Sequence, residues 1–434
     1  MLHWFRCDNC YSFRDNEFMN GISMEVRDVE EERLDIKPID RKIAEVWNVA
    51  SIHGANASGK SNFLRALSNM FSNIAGTGHK LSGQRFLFDE KCKESPIFCE
   101  MCFTLPKSED RKEYIEYRYG YMLNTDRHGN AETISSEWLK AGFSSSGELT
   151  YVFEREGNIV DFGEKKDSDF AQQLGIEFNS LNEVDRSKTL LMRLAGKDSV
   201  IAEPVVSIFT WCMKVRPIEL FVEEEGWWQR SRVAELLCKD QAFKKSLMEY
   251  IKRFDTSIVD IDAFPKSGDY FIKTTRNVKN ADAQNGRRER SIDEESYGTQ
   301  KIVGIYQFFW EVLKNGGLLI VDEFDIKLHP WVIRDLVKDF HNQDTPERKD
   351  FSGQLIFSAH SLVALNKNYL HMDEIYFTDK DREGISSIRR LIKENLTKAE
   401  REAEYLDYGE LYLRNRFGAI PAEQLCVLGG TENA

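Results

Sequence analysis

The stretch "SIHGANASGKSNFLRAL", Ser51 to Leu67, constrains the fold of this chain more than any other. It sets Gly54-Ala55-Asn56-Ala57-Ser58-Gly59-Lys60-Ser61 between two patterned segments. Before it lies "EVWNVASIH", rich in Val, Ile and Trp, which predicts a buried strand. After it, Phe63, Leu64, Leu67, Met70, Phe71 and Ile74 recur at helical spacing and predict one buried helix face. In a strand, glycine loop and helix so ordered, backbone N–H groups turn inward as a nest for oxyanions, and the helix N-terminus adds partial positive charge. The eight residues match G-x-x-x-x-G-K-[ST]. In that pattern Lys60 reaches the β- and γ-phosphates of a nucleotide and the Ser61 hydroxyl ligates Mg²⁺. Asn62, the next residue, completes the candidate binding loop.

A metal at Ser61 needs an acidic partner, and "NGGLLIVDEFDIKLHP" offers one. Leu318 to Val321 predict a short apolar strand that ends in Asp322, a second candidate Mg²⁺ ligand. Glu323 is the candidate for orienting or deprotonating an attacking water. In "GQLIFSAHS" a further strand, Gln354 to Phe357, leads to His360. That histidine reads as a γ-phosphate sensor, with a structural role as the alternative. Upstream, "SIDEESYGTQKIVGIYQFFWEVLKNGG" predicts a helix from Thr299 that Gly316 and Gly317 stop. Ser296, Gly298 and Thr299 then stand at a free helix N-terminus, a second anion site. One chain needs only one such site per nucleotide. A pair of chains uses both, if each helix end caps the γ-phosphate held by the other, so the expectation is a homodimer or higher homo-oligomer with ATP at the interface.

Composition narrows the classes. Hydrophobic residues make up 41% and charged residues 30%, the profile of a soluble globular chain with material for a large core. Net charge is −13, from 59 basic and 72 acidic residues, which disfavours a general phosphate-backbone binder and leaves nucleic-acid binding open. The basic stretch "NGRRERS", Asn285 to Ser291, reads as a solvated loop. Apolar runs are too short to span a membrane, and "MLHWFRCDNCYSF" lacks a secretory pattern, so the cytoplasm is expected. Eight cysteines include the pairs Cys7/Cys10 and Cys99/Cys102. Both pairs fall in segments that read as strands, where residues i and i+3 face opposite ways, so neither is expected to chelate zinc. Trp227-Trp228 read as buried aromatics, or as a partner contact.

Loop, long insertion, Ser-x-Gly-Thr, Asp-Glu strand and distal histidine, in that order, resemble the ABC-type ATPase heads of the SMC, Rad50 and RecF group. More narrowly, "YGYMLN…SSEWL", "IHGANASGKSNFLRAL", "ESYGTQK", "DEFDIKLHP", "IFSAHS", "DEIYFTDKD" and "YLRNRFGAIP" resemble the AAA15/AAA21-type ATPases of bacterial phage-defence operons, including AbiL-, Rlo- and PARIS-like pairs. The resemblance implies that Lys60 and Ser61 form the Walker A pair and that Asp322 and Glu323 form the Walker B pair. It further implies that Ser296 and Gly298 act in trans and that His360 is the switch histidine. The signature departs from the family, reading Ser-Tyr-Gly-Thr-Gln, and Gln84 is a weak match for a Q-loop glutamine.

The expected fold is therefore α/β: a P-loop NTPase head of ABC/SMC type, with a mixed core sheet, an antiparallel β subdomain and a mostly helical insertion. The expected domains are 1–145, the N-terminal lobe with the loop, then 146–265, the insertion, and 266–434, the C-terminal lobe. The insertion shows no sustained heptads and no CxxC at its tip, so no zinc hook is expected. The leading expectation for function is an ATP-hydrolysing sensor or regulator of a separate toxin or nuclease effector, released by a phage trigger. A DNA-associated repair or structural-maintenance ATPase is the alternative from another class. An ATP-gated scaffold that barely turns over is a third.

Overall fold

The computed structural model describes residues 1–14, 22–25, 46–78, 80–106, 114–143, 149–161, 185–195, 203–219, 230–266, 269–279, 286–326, 328–341, 353–362, 365, 367–392, 395–402 and 407–417. The strands are β1 (Leu2–Asp8), β2 (Ile22–Glu25), β3 (Val49–Gly54), β4 (Ile97–Pro106), β5 (Tyr114–Thr125), β6 (Ala131–Phe143), β7 (Thr150–Glu156) and β8 (Ile159–Asp161). They continue with β9 (Arg216–Glu219), β10 (Ile258–Lys266), β11 (Asp269–Asn277), β12 (Arg287–Ser291), β13 (Gly317–Asp322), β14 (Gly353–Ser358), β15 (Ile375–Lys380) and β16 (Ser386–Arg390). The helices used below are α1 (Lys60–Ala75), α2 (Leu190–Ala195), α3 (Glu203–Met213), α4 (Arg230–Lys239), α5 (Gln241–Ile251), α6 (Tyr297–Asn315) and α7 (Pro330–His341).

A six-stranded sheet in the order β16-β15-β3-β14-β13-β9 forms the centre. Its pairs are parallel except β15–β16 at one edge. Strand alternation divides two cores. Ala50, Ile52, Leu318, Ile320, Ile356 and Tyr376 face one, with α1 and α3. Val49, Leu319, Val321, Leu355, Phe357, Ile375 and Phe377 face the other, with α6 and α7. Both faces are covered, which is why these strands read as unbroken apolar runs. The α1 face predicted from spacing is buried as expected. On its far side lies an antiparallel sheet of seven strands, β2-β1-β4-β5-β6-β7-β8. The fold is thus mixed α/β with several sheets.

Three local expectations need correction. "NGRRERS" is not a loop over its described part: Arg287–Ser291 form β12, the outer strand of the sheet β10-β11-β12. Its charges sit on an edge, where they keep strangers from pairing with it. The helix after the signature begins at Tyr297, with Ser296 as its N-cap, so Gly298 lies in the first turn. Cys10 is not on a strand, because the chain leaves β1 at Asp8 and turns through Asn9 and Tyr11 at positive φ. That turn brings the Cys10 thiol into hydrogen bonds with Cys7 and Cys99, against the opposite-face expectation. Hydrogen bonding to Cys7 and burial hold the Cys10 thiol well above its ordinary range, so it stays protonated.

The stretch 146–265 contributes both helix and strand. β7 and β8 finish the seven-stranded sheet, while β9 forms an edge of the central one. "SDFAQQLG" and Trp227-Trp228 lie outside the described residues.

Candidate nucleotide site

In an open parallel sheet, ligands bind beyond the carboxyl ends of the strands. β3, β13, β14 and β15 end together there. From β3 the chain enters the loop Gly54–Ser61. Gly54, Ala57 and Gly59 all have positive φ, at 156°, 63° and 116°. A Cβ on Gly54 would lie 2.4 Å from the Thr378 carbonyl oxygen, and one on Gly59 would lie 2.5 Å from Ser386 Oγ. Only glycine fits either place. α1 starts at Lys60 with no side chain capping its N-terminus, so its first N–H groups stay available to an anion.

Segments far away in sequence hold the loop. Ser58 Oγ and Thr378 Oγ1 are 2.6 Å apart, and Asn62 Nδ2 donates to Ser12 Oγ at 2.9 Å. Ser386 Oγ also donates to Ser12, at 2.8 Å. Asn62 is thus tied to the Cys10–Phe13 turn. The Lys60 ammonium donates to the carbonyls of Gly54 (2.9 Å) and Ala55 (3.0 Å), inside its own loop. Burial lowers its pKa, against the opposing pull of Asp322, Glu323 and Asp325. Asn56 and Ala57 form the exposed crown, and Ser61 lies half-buried in the first helical turn.

The acidic set assembles around one hydroxyl. Ser358 Oγ donates to Asp322 Oδ1 and accepts from the Glu323 N–H at 2.8 Å. Glu323 itself has φ 51°, an unfavourable value for a non-glycine residue and one that re-aims its carboxylate. Glu323 Oε2 is buried without a partner, and Oε1 stands 4.0 Å from His360 Nε2. Asp325 Oδ2 accepts from the backbone N–H of His360 at 2.9 Å and from that of Ser361. His53, just before the loop, is fully buried with neither ring nitrogen bonded. Burial, then Lys60 and His360, push its pKa down to about 3, so it is neutral at physiological pH.

The structure therefore brings Lys60, Asp322, Glu323 and His360 into one neighbourhood. Ser296 and Gly298 stand apart: among the described residues, no hydrogen bond links either to the loop. Ser296 is exposed and accepts from Thr299 N–H at 3.2 Å. Behind it, buried Glu295 accepts from Arg276 Nε at 2.9 Å and from Thr274 Oγ1 at 2.5 Å. Gln84 bridges Asn130, and its carbonyl accepts from Tyr11 N–H at 2.7 Å, so its backbone serves the turn that backs the loop. Sequence reasoning missed Ser12, Thr378, Ser386, Ser358 and Asp325. Only Asp325 and Ser358 carried a signal, by adjacency to Asp322-Glu323 and His360.

The orphaned Glu323 oxygen, the glycine cradle and the uncapped helix suit a phosphate chain with a divalent cation. Ser61 and Asp322 are the oxygen donors that would hold Mg²⁺. Among the described residues, no helix is long and apolar enough to cross a membrane. No curated protein matches the chain. Residues 237–366 match the family model described as "AAA domain, putative AbiEii toxin, Type IV TA system". The match takes in Ser296, Asp322, Glu323 and His360 and leaves the Gly54–Ser61 loop outside. It supports an AAA-type ATPase family for this chain, a class that binds nucleotide, usually with Mg²⁺.

Proposed function

We propose that the chain is an ABC-type ATPase that binds ATP with Mg²⁺ and hydrolyses it to govern a separate toxin or nuclease effector in bacterial anti-phage defence. One observation carries the hydrolytic reading: Glu323 is held at positive φ with an unpartnered carboxylate oxygen, beside His360 and the Asp322–Ser358 pair. Gly54 to Asn62 wrap the phosphates, and Lys60 moves from its loop carbonyls onto the β- and γ-phosphates. Ser61 and Asp322 hold Mg²⁺, which supplies charge neutralisation when bound. Glu323 takes the proton of the attacking water, and His360 senses the γ-phosphate. The exposed Ser296 and the half-buried Gly298 meet the γ-phosphate of a second copy, giving two equivalent sites in a two-fold homodimer. The matched family's description names a putative toxin and a Type IV TA system. The separate effector and a phage component as trigger are carried by the resemblance to phage-defence ATPases.

Glu323→Gln tests both layers. It should keep ATP bound, slow turnover by roughly 10²–10⁴ and accumulate as a nucleotide-held dimer. Wild-type turnover would remove Glu323 as the catalytic carboxylate. Co-expression with the adjacent gene product should give a complex whose yield differs between Glu323→Gln and wild type. Equal yields, or no complex in either, would sink the regulatory reading and leave the ATPase reading standing.

A further inference from the structure

A second cluster lies across the seven-stranded sheet. His3 on β1, Cys102 on β4 and Glu116 on β5 place an imidazole nitrogen, a thiol sulfur and a carboxylate oxygen within 4.8 Å of one another. We propose that these three residues form a zinc site that pins the three strands together.

Register makes the cluster. Along the β1–β4 pair, Leu2 opposes Phe103 and Trp4 opposes Cys102, so the ladder slips at His3. Such a bulge re-aims one side chain. Here it carries His3 Nε2 to 3.0 Å from Thr104 Oγ1. Cys102 and Thr104 share a face of β4, two residues apart, and pair across to Arg118 and Glu116 of β5. Three neighbouring strands thus each offer one donor to one spot. His3 and Cys102 are fully buried, and the Glu116 side chain is only 18% exposed.

The donor set suits Zn²⁺, which takes nitrogen, sulfur and oxygen at about 2.0–2.3 Å, so that ligand atoms lie roughly 3.3–3.8 Å apart. Cys102 Sγ already stands 3.3 Å from Glu116 Oε1 and donates its proton there. Binding breaks the S–H bond and forms a metal–sulfur bond. The proton leaves by way of Glu116 to solvent, and no electron is transferred. Thiolate, carboxylate and neutral imidazole then cancel the charge of the ion, which a buried site requires. Thr104 or a water completes a tetrahedron. Arg118, 3.6 Å from Glu116, competes for the carboxylate and limits the affinity.

The test uses the full chain and Zn²⁺ or Co²⁺ alone. Metal-free protein should take up one equivalent of Zn²⁺, and Co²⁺ should produce a thiolate charge-transfer band. Cys102→Ser should abolish the band and weaken Zn²⁺ by at least about 100-fold, and His3→Gln should weaken it to a similar degree. Cys10→Ser, a control for the neighbouring thiols, should leave both signals intact. Zinc bound at Ser61 and Asp322 gives no thiolate band and survives Cys102→Ser. A band that survives Cys102→Ser, or Zn²⁺ uptake unchanged by both variants, would overturn the assignment. So would the absence of any stoichiometric uptake, which would mean that hydrogen bonds alone hold the cluster.

Discussion

Two helix N-termini in this molecule look alike in sequence and differ in setting. α1 begins behind Gly59 with no side-chain cap, inside a loop braced by Ser12, Thr378 and Ser386 and surrounded by the acidic set of β13 and β14. α6 begins behind Ser296, which caps its own Thr299 N–H and stands exposed. Both ends carry the same partial charge. The first has a cation, glycine turns and acidic partners within the chain. The second rests on Glu295, held by Arg276 and Thr274, and among the described residues no hydrogen bond links it to the loop. A complete cradle in one place and an exposed, self-capped helix end in another is the arrangement that the proposed site shared between two copies would use.

The comparison breaks most sharply at Lys60. Lys60→Ala removes the cation buried in the cradle, and nucleotide affinity should fall by roughly 100-fold or more in an equilibrium binding assay. Ser296→Arg should leave that affinity within about twofold if, as proposed, the α6 end meets the nucleotide of a second copy rather than that of its own chain. Equal losses from the two variants would mean that both helix ends serve one nucleotide in one chain.

This asymmetry was legible only in part. Gly54 to Ser61 could be read because strand, turn and helix are contiguous, and each fixes the next. Asp322, Glu323 and His360 could be read because each lies just past the end of an apolar strand. What braces them could not. Ser12, Thr378 and Ser386 reach the loop from both ends of the sequence, through sheet pairings that no local spacing encodes. The charge run Arg287–Ser291 hid an edge strand, because one face of it has no core to announce itself. The CxxC spacings drew attention to Cys7/Cys10 and Cys99/Cys102. The tighter set of mixed donors, His3, Cys102 and Glu116, depends on a register slip that appears only once β1 and β4 pair.

A smaller effect sharpens the sharing itself. Ser296→Arg puts bulk and charge where a γ-phosphate would approach, so it should hydrolyse slowly while still binding ATP. Mixed with Lys60→Ala under conditions of subunit exchange, it should form heterodimers with one intact site. ATPase activity should return to about a quarter of the wild-type level, since half of the dimers are mixed and each keeps one site of two. A mixture as inactive as its parents, under conditions where the subunits demonstrably exchange, would count against a site shared between two copies.

The smallest effect concerns the mount beneath the α6 end. Glu295 precedes Ser296 and is buried. Its carboxylate accepts from Arg276 and Thr274, while Arg276 also donates to Asp255 at 2.7 Å. Burial pushes the Glu295 carboxyl up, but Arg276 and Thr274 outweigh it and hold the group below its usual range. A carboxyl depressed in the folded state contributes stability that is present above its unfolded pKa. That stability is lost as pH falls through the folded value. Arg276→Met leaves the carboxylate buried without its counter-charge, which should cost about 1–3 kcal/mol at neutral pH, at the lower end for a pair with one partly exposed member. In acid the carboxyl is protonated in both proteins, so the gap in denaturation midpoint should close as pH drops below the usual carboxylate range. A gap that stays constant with pH would mean that Arg276 supports β11 by packing alone. Nucleotide affinity at the α1 cradle should not move, whereas turnover that depends on Ser296 should fall a few-fold. Loss of affinity at Lys60 in this variant would show that the two helix ends are coupled within one chain, and that the exposed one is not waiting for a second copy.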